Sequence, residues 1–312
     1  MTMALALFTH PACLEHDPGP GHPEAPQRLA VVLEALDDPR FAGIERHIAP
    51  RAARSQLERV HRRDHVDHIL GAMPKGGWLQ LDADTIMSPG SSEAALRAAG
   101  ATCAAVDAVL ATPLRRAFCA VRPPGHHATP STAMGFCLFN NVATAAAHAL
   151  AAHGLERVAI VDFDVHHGNG TQDIFWNDAR VLYASTHQSP LYPGTGANHE
   201  RGTGNIVNAP LRAGAGSIEF RDACIRTVLP ALDDFAPQLV IISAGFDAHR
   251  LDPLAALELE TDDYAWITRR LVDLAQRHAD GRIVSSLEGG YDLDALRAAT
   301  AAHVGALMEP AA

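Results

Sequence analysis

Three residues with metal-binding side chains, Asp162, Asp164 and His166, stand at intervals of two directly after the apolar run 158–161. That run indicates a buried β-strand, and ligands of open α/β sheets bind at the carboxyl ends of strands. Asp164 and His166 can point to the same side of the chain and hold one ion. Because buried carboxylates are costly unless a positive charge neutralises them, the pattern predicts a divalent metal site.

Three further apolar runs also end in polar residues that can do chemistry. They are 117–121 followed by His126 and His127, 239–244 followed by Asp247, and 283–287 followed by Gly289, Gly290 and Tyr291. Parallel strands end at one edge of a sheet, so we expect all four strand ends to share a pocket. Asp164, His166 and Asp247 balance a 2+ ion and leave positions open for water and substrate, as in catalytic zinc sites. Zn2+ is the expected ion, although Fe2+, Co2+ and Mn2+ accept the same donors.

The tandem histidines His126 and His127 are the natural proton-transfer groups, because an unperturbed imidazole titrates near neutral pH. Asp162 is left over from the metal site and can orient one of them, while Asn169 can orient the other without adding charge. The two imidazoles can then keep different pKa values. Tyr291, presented by the two glycines before it, can donate its hydroxyl to an oxyanion. Because a bound divalent ion lowers the pKa of its water to about 7, the whole set predicts a hydrolase.

Strand-like and helix-like segments alternate along the whole chain and predict an α/β fold. The predicted strands are 4–8, 117–121, 158–163, 181–185, 239–244 and 283–287. The predicted helices are 24–36, 62–72, 93–111, 141–153, 217–234, 262–278 and 293–307. This alternation favours one mainly parallel sheet covered by helices on both faces. Since no linker or repeat interrupts the pattern, residues 1–312 are predicted to form a single domain.

The composition limits the classes of function. Of the 312 residues, 47% are hydrophobic, which supports one large core, and the net charge is −11 without any Lys/Arg-rich run. We therefore expect no nucleic-acid partner and no membrane partner. The five scattered cysteines form no CxxC pair, which disfavours a disulfide framework and favours a cytoplasmic location. Residues 1–8 are predicted to be a strand rather than a signal peptide, and no window is expected to reach the ~20 apolar residues of a membrane span.

Taken together, these motifs resemble the zinc-dependent histone deacetylase superfamily. That superfamily includes bacterial deacetylase-like amidohydrolases, acetylpolyamine amidohydrolases and acetoin-utilisation proteins. Asn169 and the Leu-Glu-Gly-Gly-Tyr sequence at 287–291 resemble its class II branch. The matching segments, in the order of the family, are 21–24 with Arg28, 122–128, 134–137 with Asn140 and Asn141, 162–172, 193–196, 243–247, 252–254 and 287–291.

The resemblance implies an arginase-like α/β fold with a single eight-stranded sheet and a zinc ion on the three predicted ligands. It implies that His127 serves as general base and then general acid, and that Tyr291 polarises the substrate carbonyl. Gly135, Phe136 and Tyr192 are implied to line a tunnel for the acyl-lysine stem. A structural K+ is also implied, mostly through carbonyl oxygens, at Asp162, Asp164, His166, Ser185 and Thr186.

The predicted function is hydrolysis of an amide, with removal of an acetyl or related acyl group from a lysine-like amine. Leu254, implied to lie at the pocket mouth, offers no partner for a second ammonium, which favours acyl-lysine over acetylated polyamines. An acetylpolyamine or other small-amide amidohydrolase is the alternative. A dinuclear manganese ureohydrolase is disfavoured, because Asp247 is followed by Ala248 and His249 rather than by a second Asp at i+2. A non-enzymatic binding protein is disfavoured by the complete catalytic set, and a homo-oligomer is compatible with the sequence.

Overall fold

An eight-stranded sheet runs through the centre of the protein, and each pair of neighbouring strands in it is parallel. The computed structural model describes residues 3–72 and 74–311, so residues 1, 2, 73 and 312 of the predicted domain lie outside it. The strands of these ranges are β1 (Leu5–Thr9), β2 (Ile44–Ile48), β3 (Leu79–Gln80), β4 (Ile86–Met87), β5 (Arg116–Cys119), β6 (Val158–Asp162), β7 (Val181–Gln188), β8 (Ile206–Leu211), β9 (Leu239–Ala244) and β10 (Ile283–Leu287). The sheet order is β2-β1-β5-β10-β9-β6-β7-β8, while β3 and β4 form a separate antiparallel hairpin.

Helices cover both faces of this sheet. Within the described ranges they are α1 (Ala12–Glu15), α2 (Pro26–Ala35), α3 (Arg54–Leu57), α4 (Arg63–Gly71), α5 (Ser91–Ala111), α6 (Asn141–His153), α7 (Asn169–Phe175), α8 (Ser217–Ala223), α9 (Leu229–Phe235), α10 (Thr261–His278) and α11 (Leu293–Leu307). Because crossovers between parallel strands are right-handed, the strand order places α5, α6 and α7 on one face and α2, α8, α9 and α10 on the other. The last helix, α11, packs against α2 and α10 and completes the second face.

The predicted fold class is confirmed, but the prediction lacks the two edge strands. Central strands β6 and β9 are buried along their whole length, so their apolar runs are visible in the sequence. In β2 only Ile44 is buried, and in β8 Asn208 and Pro210 interrupt the apolar pattern. The predicted strand 117–121 is shifted to Arg116–Cys119. The predicted helix 217–234 is divided into α8 and α9 by a π-helical turn.

Helix α5 corrects one expectation about membranes. Among the described residues, Ser91–Ala111 is long and apolar enough, by length and composition alone, to cross a membrane. Within the protein it contacts β1, β5, β10 and α6, and 61% of its apolar window is buried. This is the environment of a core helix, because its apolar side chains already have protein partners.

A buried ion network ties the start of the chain to the carboxyl edge of the sheet. Glu24 Oε2 accepts Arg122 Nη2 at 2.7 Å, and Glu24 Oε1 accepts Arg28 Nη1 at 3.0 Å. All three side chains are at most 1% exposed. Burial alone would raise the pKa of Glu24, but Arg122 and His16 outweigh it and hold that pKa well below its usual range.

Arg28 extends this network to the end of β10. Its guanidinium donates to the carbonyl oxygens of Glu288 and Gly290 and lies 4.8 Å from the centre of the Tyr291 ring. Helix α2 therefore holds the backbone that presents Tyr291.

We expect Glu24→Gln to lower the free energy of unfolding by about 3–5 kcal/mol, because it leaves two buried guanidinium groups without their counter-ion. Urea unfolding followed by circular dichroism measures the loss. Glu34→Gln, which breaks the exposed pair of Glu34 with Arg297, is the matched control and should leave the urea midpoint almost unchanged. Equal midpoints for the two variants would show that the buried network does not stabilise the fold.

Candidate metal and catalytic site

The four polar clusters at strand ends lie side by side. They follow β5, β10, β9 and β6, which are neighbours in that order at the centre of the sheet. All pairings among these strands are parallel, so their carboxyl ends open on the same edge. The chain leaves this edge toward α6 on one face and toward α10 on the other, which forms a crevice of the kind that binds ligands in open α/β sheets.

Three side chains converge on one point in this crevice. His166 Nδ1 lies 3.2 Å from Asp164 Oδ1 and 3.1 Å from Asp247 Oδ2, and the three ligand atoms lie within 4.8 Å of one another. The two aspartates are at most 1% exposed. His167, the other imidazole of this segment, hydrogen-bonds with Gln172 instead. The structure thus brings together the three predicted metal ligands.

Backbone N–H groups hold the second oxygen of each carboxylate. Gly289 N donates to Asp164 Oδ2 at 2.8 Å, and Val165 N donates to Asp247 Oδ1 at 2.8 Å. A Cβ at Gly289 would lie 2.1 Å from Asp247 Oδ2, so only glycine allows the chain after β10 to approach so closely. Each carboxylate is therefore fixed by one oxygen and turns the other toward His166.

The charge balance at this point favours a cation. Burial alone would lower the pKa of His166, but its hydrogen bonds to Asp164 and Asp247 outweigh burial and raise that pKa to about 10. Surroundings that favour an imidazolium also favour a metal ion bound to the neutral imidazole. One imidazole nitrogen and two carboxylate oxygens suit a divalent ion such as Zn2+, Fe2+ or Co2+ with positions left open. The residues therefore fit a catalytic metal ion.

The tandem histidines lie beside these ligands with ring centres 4.0 Å apart. His126 Nδ1 donates to Asp162 Oδ2 at 3.0 Å, and His127 Nδ1 donates to Asn169 Oδ1 at 2.8 Å. The amide nitrogen of Asn169 donates to Met134 Sδ, which turns its oxygen toward His127. Asp162 and Asn169 thus stand where an orienting partner is predicted, one for each histidine.

The two neighbouring imidazoles have opposite pKa shifts. Burial would lower the pKa of His126, but Asp164 and Asp162 outweigh it and raise that pKa well above its ordinary value. Burial, together with the charges of His126 and His166, holds the pKa of His127 well below its ordinary value. These opposite shifts favour the protonated form of His126 and the neutral form of His127. Since His127 Nδ1 carries the proton, its Nε2 has a free lone pair.

A cavity of about 210 Å3 opens onto these groups. It is smaller than the ~300–1,000 Å3 pockets that take drug-sized ligands, so it suits a slender group. All four predicted substrate-binding residues line it. The complete lining is Asp84, His127, Gly135, Phe136, His166, Tyr192, Leu254 and Tyr291.

One wall of the cavity is a tight turn with two left-handed residues. Gly135 has φ +56° and Phe136 has φ +67°, and Met134 and Cys137 pair their backbones on either side. This is the geometry of a type I′ turn. A Cβ at Gly135 would also lie 2.4 Å from the His127 ring. The left-handed backbone of Phe136 is the kind of local strain that occurs at functional sites.

Two tyrosines line the cavity in different settings. Tyr192 is 38% exposed, and its ring meets that of His127 edge-on at 5.1 Å. The Tyr291 ring meets that of Phe136 edge-on at 5.8 Å. Burial raises the pKa of Tyr291 well above its ordinary value, so its hydroxyl keeps its proton. That hydroxyl can donate to a substrate carbonyl oxygen.

The residues of the predicted potassium site meet at the edge between β6 and β7. Asp162 pairs with Ser185 across these strands, and Thr186 follows, with all three buried. Ser185 Oγ hydrogen-bonds with His187, and Asp162 also accepts the Tyr183 hydroxyl. Because these side chains have protein partners, an ion here would rely on carbonyl oxygens. The potassium ion stays a prediction.

Within the described residues, a second group of potential ligands lies between α5 and α6. Nε2 of His148 and Nε2 of His153 each lie 2.7 Å from Asp107 Oδ1. Arg59 donates to His148 Nδ1 at 2.8 Å, so His148 Nε2 keeps the proton and donates it to Asp107. A metal-binding imidazole needs the reverse arrangement. We therefore interpret this group as a hydrogen-bonded cluster that joins two helices.

Comparison with known proteins gives the family of the chain. Residues 22–307 match the histone deacetylase domain. The chain belongs to the histone deacetylase family. A histone deacetylase-like amidohydrolase of Pseudomonas aeruginosa is 40% identical, over 93% of this chain and 82% of that protein. A probable deacetylase of Archaeoglobus fulgidus is 41% identical, over 94% and 82%. The crystal structure of the HDA15 HD domain matches with a TM-score of 0.93 at 36% identity, covering 99% of this chain and 89% of that one.

The sequence prediction for this histone deacetylase family member lacks Asp84. This half-buried residue lies in the turn between β3 and β4 and lines the cavity. Thr85, the next residue, accepts the Phe136 N–H at 3.1 Å and ties the turn to the aromatic wall. In the sequence, Asp82-Ala83-Asp84 has no feature that separates it from an ordinary acidic turn.

The prediction also lacks a role for Glu288. Its Oε2 accepts Gly125 N at 2.6 Å and His126 N at 3.2 Å, so it holds the backbone of the tandem histidines. Burial raises the pKa of Glu288 to about 7. The sequence does contain a signal for this role. Glu288 directly follows a buried strand, and a carboxylate in that position needs a specific partner.

Removal of one ligand should empty the metal site of this histone deacetylase family protein. We expect Asp247→Ala to retain far less Zn2+ than the wild-type chain, because geometry and charge balance are both lost. Mass spectrometry of the metal content after desalting is the measurement. Asp107→Ala removes a carboxylate from the hydrogen-bonded cluster and should keep the wild-type metal content. Full occupancy in Asp247→Ala would exclude Asp247 as a ligand, and metal loss in Asp107→Ala would show that the second cluster binds metal.

Proposed function

We propose that this protein removes an acetyl or related acyl group from a lysine-like amine by hydrolysis of the amide. The observation that supports this most strongly is the set of groups facing one cavity. An unprotonated imidazole nitrogen of His127 and a protonated hydroxyl of Tyr291 adjoin a cation site. Membership in the histone deacetylase family supports the same reaction class.

The proposed ion is Zn2+ on Asp164, His166 and Asp247, with Fe2+ or Co2+ as alternatives, and a structural K+ belongs to the same proposal. A bound divalent ion supplies a Lewis acid for the amide carbonyl and lowers the pKa of water to about 7. His127 Nε2 takes a proton from the attacking water and returns it to the leaving amine nitrogen. Its Nδ1 stays anchored on Asn169, so the ring keeps its orientation in both steps.

Two other residues stabilise the charge that develops on the substrate oxygen. The Tyr291 hydroxyl donates a hydrogen bond to it. His126, whose Nδ1 donates to Asp162, places a second imidazole beside this charge. The aromatic rings of Phe136 and Tyr192 give the slender cavity apolar walls suited to the methylene chain of lysine.

Acetylated polyamines are a second substrate class, and Asp84 is the observation in their favour. Its carboxylate lines the cavity together with Leu254, so a second ammonium would find an anionic partner there. Burial and the neighbouring Asp82 raise the pKa of Asp84, which weakens that partnership. We therefore rank acyl-lysine first.

The geometry gives little support to a dinuclear ureohydrolase. His249, at i+2 from Asp247, accepts the Leu251 N–H through Nδ1 and hydrogen-bonds with Thr261 through Nε2. Among the described residues, it does not belong to the ligand group at the sheet edge.

The Tyr291 hydroxyl should act mainly in the transition state. We expect Tyr291→Phe to reduce kcat by an amount equal to about 2–4 kcal/mol, with little change in KM. Steady-state kinetics on a fluorogenic acetyl-lysine peptide is the measurement. The melting temperature of Tyr291→Phe should equal that of the wild-type protein, because the ring and its contact with Arg28 remain. An unchanged kcat under conditions where chemistry limits the rate would mean that Tyr291 only packs.

The charge at the cavity mouth should set the choice between the two substrate classes. We expect Leu254→Glu to raise, and Asp84→Asn to lower, the kcat/KM of acetylspermidine relative to a capped acetyl-lysine. One partly exposed charge pair is worth about 0.2–1 kcal/mol, so each ratio should move by about 1.5- to 5-fold. Parallel assays of both substrates on the three proteins measure it. If the wild-type enzyme turns over acetylpolyamines faster than every acyl-lysine peptide, the ranking of substrates is reversed.

A further inference from the structure

A buried carboxylate outside the metal site joins two segments that line the cavity. Asp252 lies in the loop between β9 and α10 and is 7% exposed. Its Oδ2 accepts the Tyr291 N–H at 2.7 Å, and its Oδ1 accepts the Leu254 N–H at 3.0 Å. One side chain therefore holds the backbone of both the oxyanion donor and the residue at the cavity mouth.

We propose that Asp252 is a positioning residue that sets the place of the Tyr291 hydroxyl. The inference rests on the proposed function, because Asp252 acts through Tyr291 rather than on the substrate. It adds to that function a residue to which neither the catalytic nor the metal set assigns a role.

The chain around Tyr291 depends on this contact. Arg28 holds the carbonyl oxygen of Gly290 on one side, and Asp292 caps the start of α11 on the other. Gly290 has φ +122°, a backbone conformation open to glycine but strained for other residues. The hydrogen bond from the Tyr291 N–H to Asp252 fixes the backbone directly after Gly290, where the glycine allows several conformations.

The loop that carries Asp252 is itself held in place. The backbone N–H of Asp252 donates to the carbonyl oxygen of His249 at 2.8 Å. Leu259 accepts the Arg250 N–H at 3.0 Å and donates to Ala248 O at 3.1 Å, so the two arms of the loop pair with each other. Asp252 is thus a fixed reference point for Tyr291.

A carboxylate is required because three N–H groups point at one side chain, those of Tyr291 and Asp292 at Oδ2 and that of Leu254 at Oδ1. Asparagine has a single acceptor oxygen, and its NH2 group can only donate. Asp252→Asn therefore loses either the bond to Tyr291 or the bond to Leu254, and it leaves a buried N–H facing another donor. A catalytic group that is misplaced by about 1 Å can lose 100-fold in rate.

A double-mutant cycle on the full-length, zinc-loaded enzyme tests the inference. We expect Asp252→Asn to lower kcat on an acetyl-lysine peptide by about 10- to 100-fold, with little change in KM. In the Tyr291→Phe background the same change should lower kcat by less than about 2-fold, because the hydroxyl that it positions is absent. Equal losses in both backgrounds would overturn the inference and leave the proposed function intact. If Tyr291→Phe alone has full kcat, the role of Tyr291 fails and the inference fails with it.

Asp263→Asn is the matched control. Asp263 is also buried, and its carboxylate accepts Glu260 N at 2.9 Å and Arg221 Nε at 2.7 Å, away from the cavity lining. Asp263→Asn should lower the melting temperature about as much as Asp252→Asn but keep the wild-type kcat. If both variants lose kcat equally, the effect is general destabilisation and the inference is wrong.

Amide hydrogen exchange tests the contact without turnover or metal. Asp252→Asn should speed exchange in the peptide covering 288–293, whereas Asp263→Asn should not. Unchanged exchange in that peptide in Asp252→Asn and in Asp252→Ala, which removes both acceptor oxygens, would overturn the inference. If Asp252→Asn does not fold, Asp252→Ser, which keeps one small acceptor, replaces it in the same measurements. The same results then support or overturn the inference.

Discussion

The structure depends on the cost of burying several carboxylates at one edge of a parallel sheet. Asp162, Asp164, Asp247 and Glu288 each follow or end one of the central strands and are at most 1% exposed. Burial of so much negative charge costs several kcal/mol per group unless hydrogen bonds and cations offset it. Backbone N–H groups at the strand ends satisfy part of this demand, which is why glycines adjoin the carboxylates. The remaining demand favours a positive charge at this point, either an imidazolium or a divalent ion bound to the neutral imidazole.

The same constraint explains why the start of the chain is part of the site. Glu24 is outnumbered by Arg28 and Arg122, so the buried network carries a net positive charge toward the edge that holds the carboxylates. The other N–H groups of Arg28 donate to the carbonyl oxygens around Gly290, and its guanidinium stacks on the Tyr291 ring. One side chain therefore contributes both to the electrostatic balance of the sheet edge and to the placement of Tyr291.

The sequence predicts the centre of this molecule better than its periphery. Strands buried on both faces appear as continuous apolar runs, and a polar cluster directly after such a run marks the carboxyl edge, so the convergence of the predicted metal ligands and the tandem histidines could be foreseen. Edge strands such as β2 are half-exposed and lack that signal. Asp84 and Asp252 lie in turns, where an aspartate is ordinary, and their roles come from contacts with residues distant in sequence. Those contacts depend on tertiary structure that spacing alone does not encode.

The division of labour between His126 and His127 also comes from tertiary partners. Their side chains are chemically identical and adjacent in sequence, yet one faces the anion Asp162 and the other faces the neutral amide of Asn169. Both partners fix Nδ1 as the donor, so both rings have the same tautomer when neutral. Only the carboxylate adds charge, and it draws a proton onto the neighbouring ring. An aspartate at 169 would keep the geometry but move the pKa of His127 upward. The amide of Asn169 therefore orients the His127 ring without adding charge, while Asp164 and Asp162 surround His126, and the two imidazoles have opposite pKa shifts.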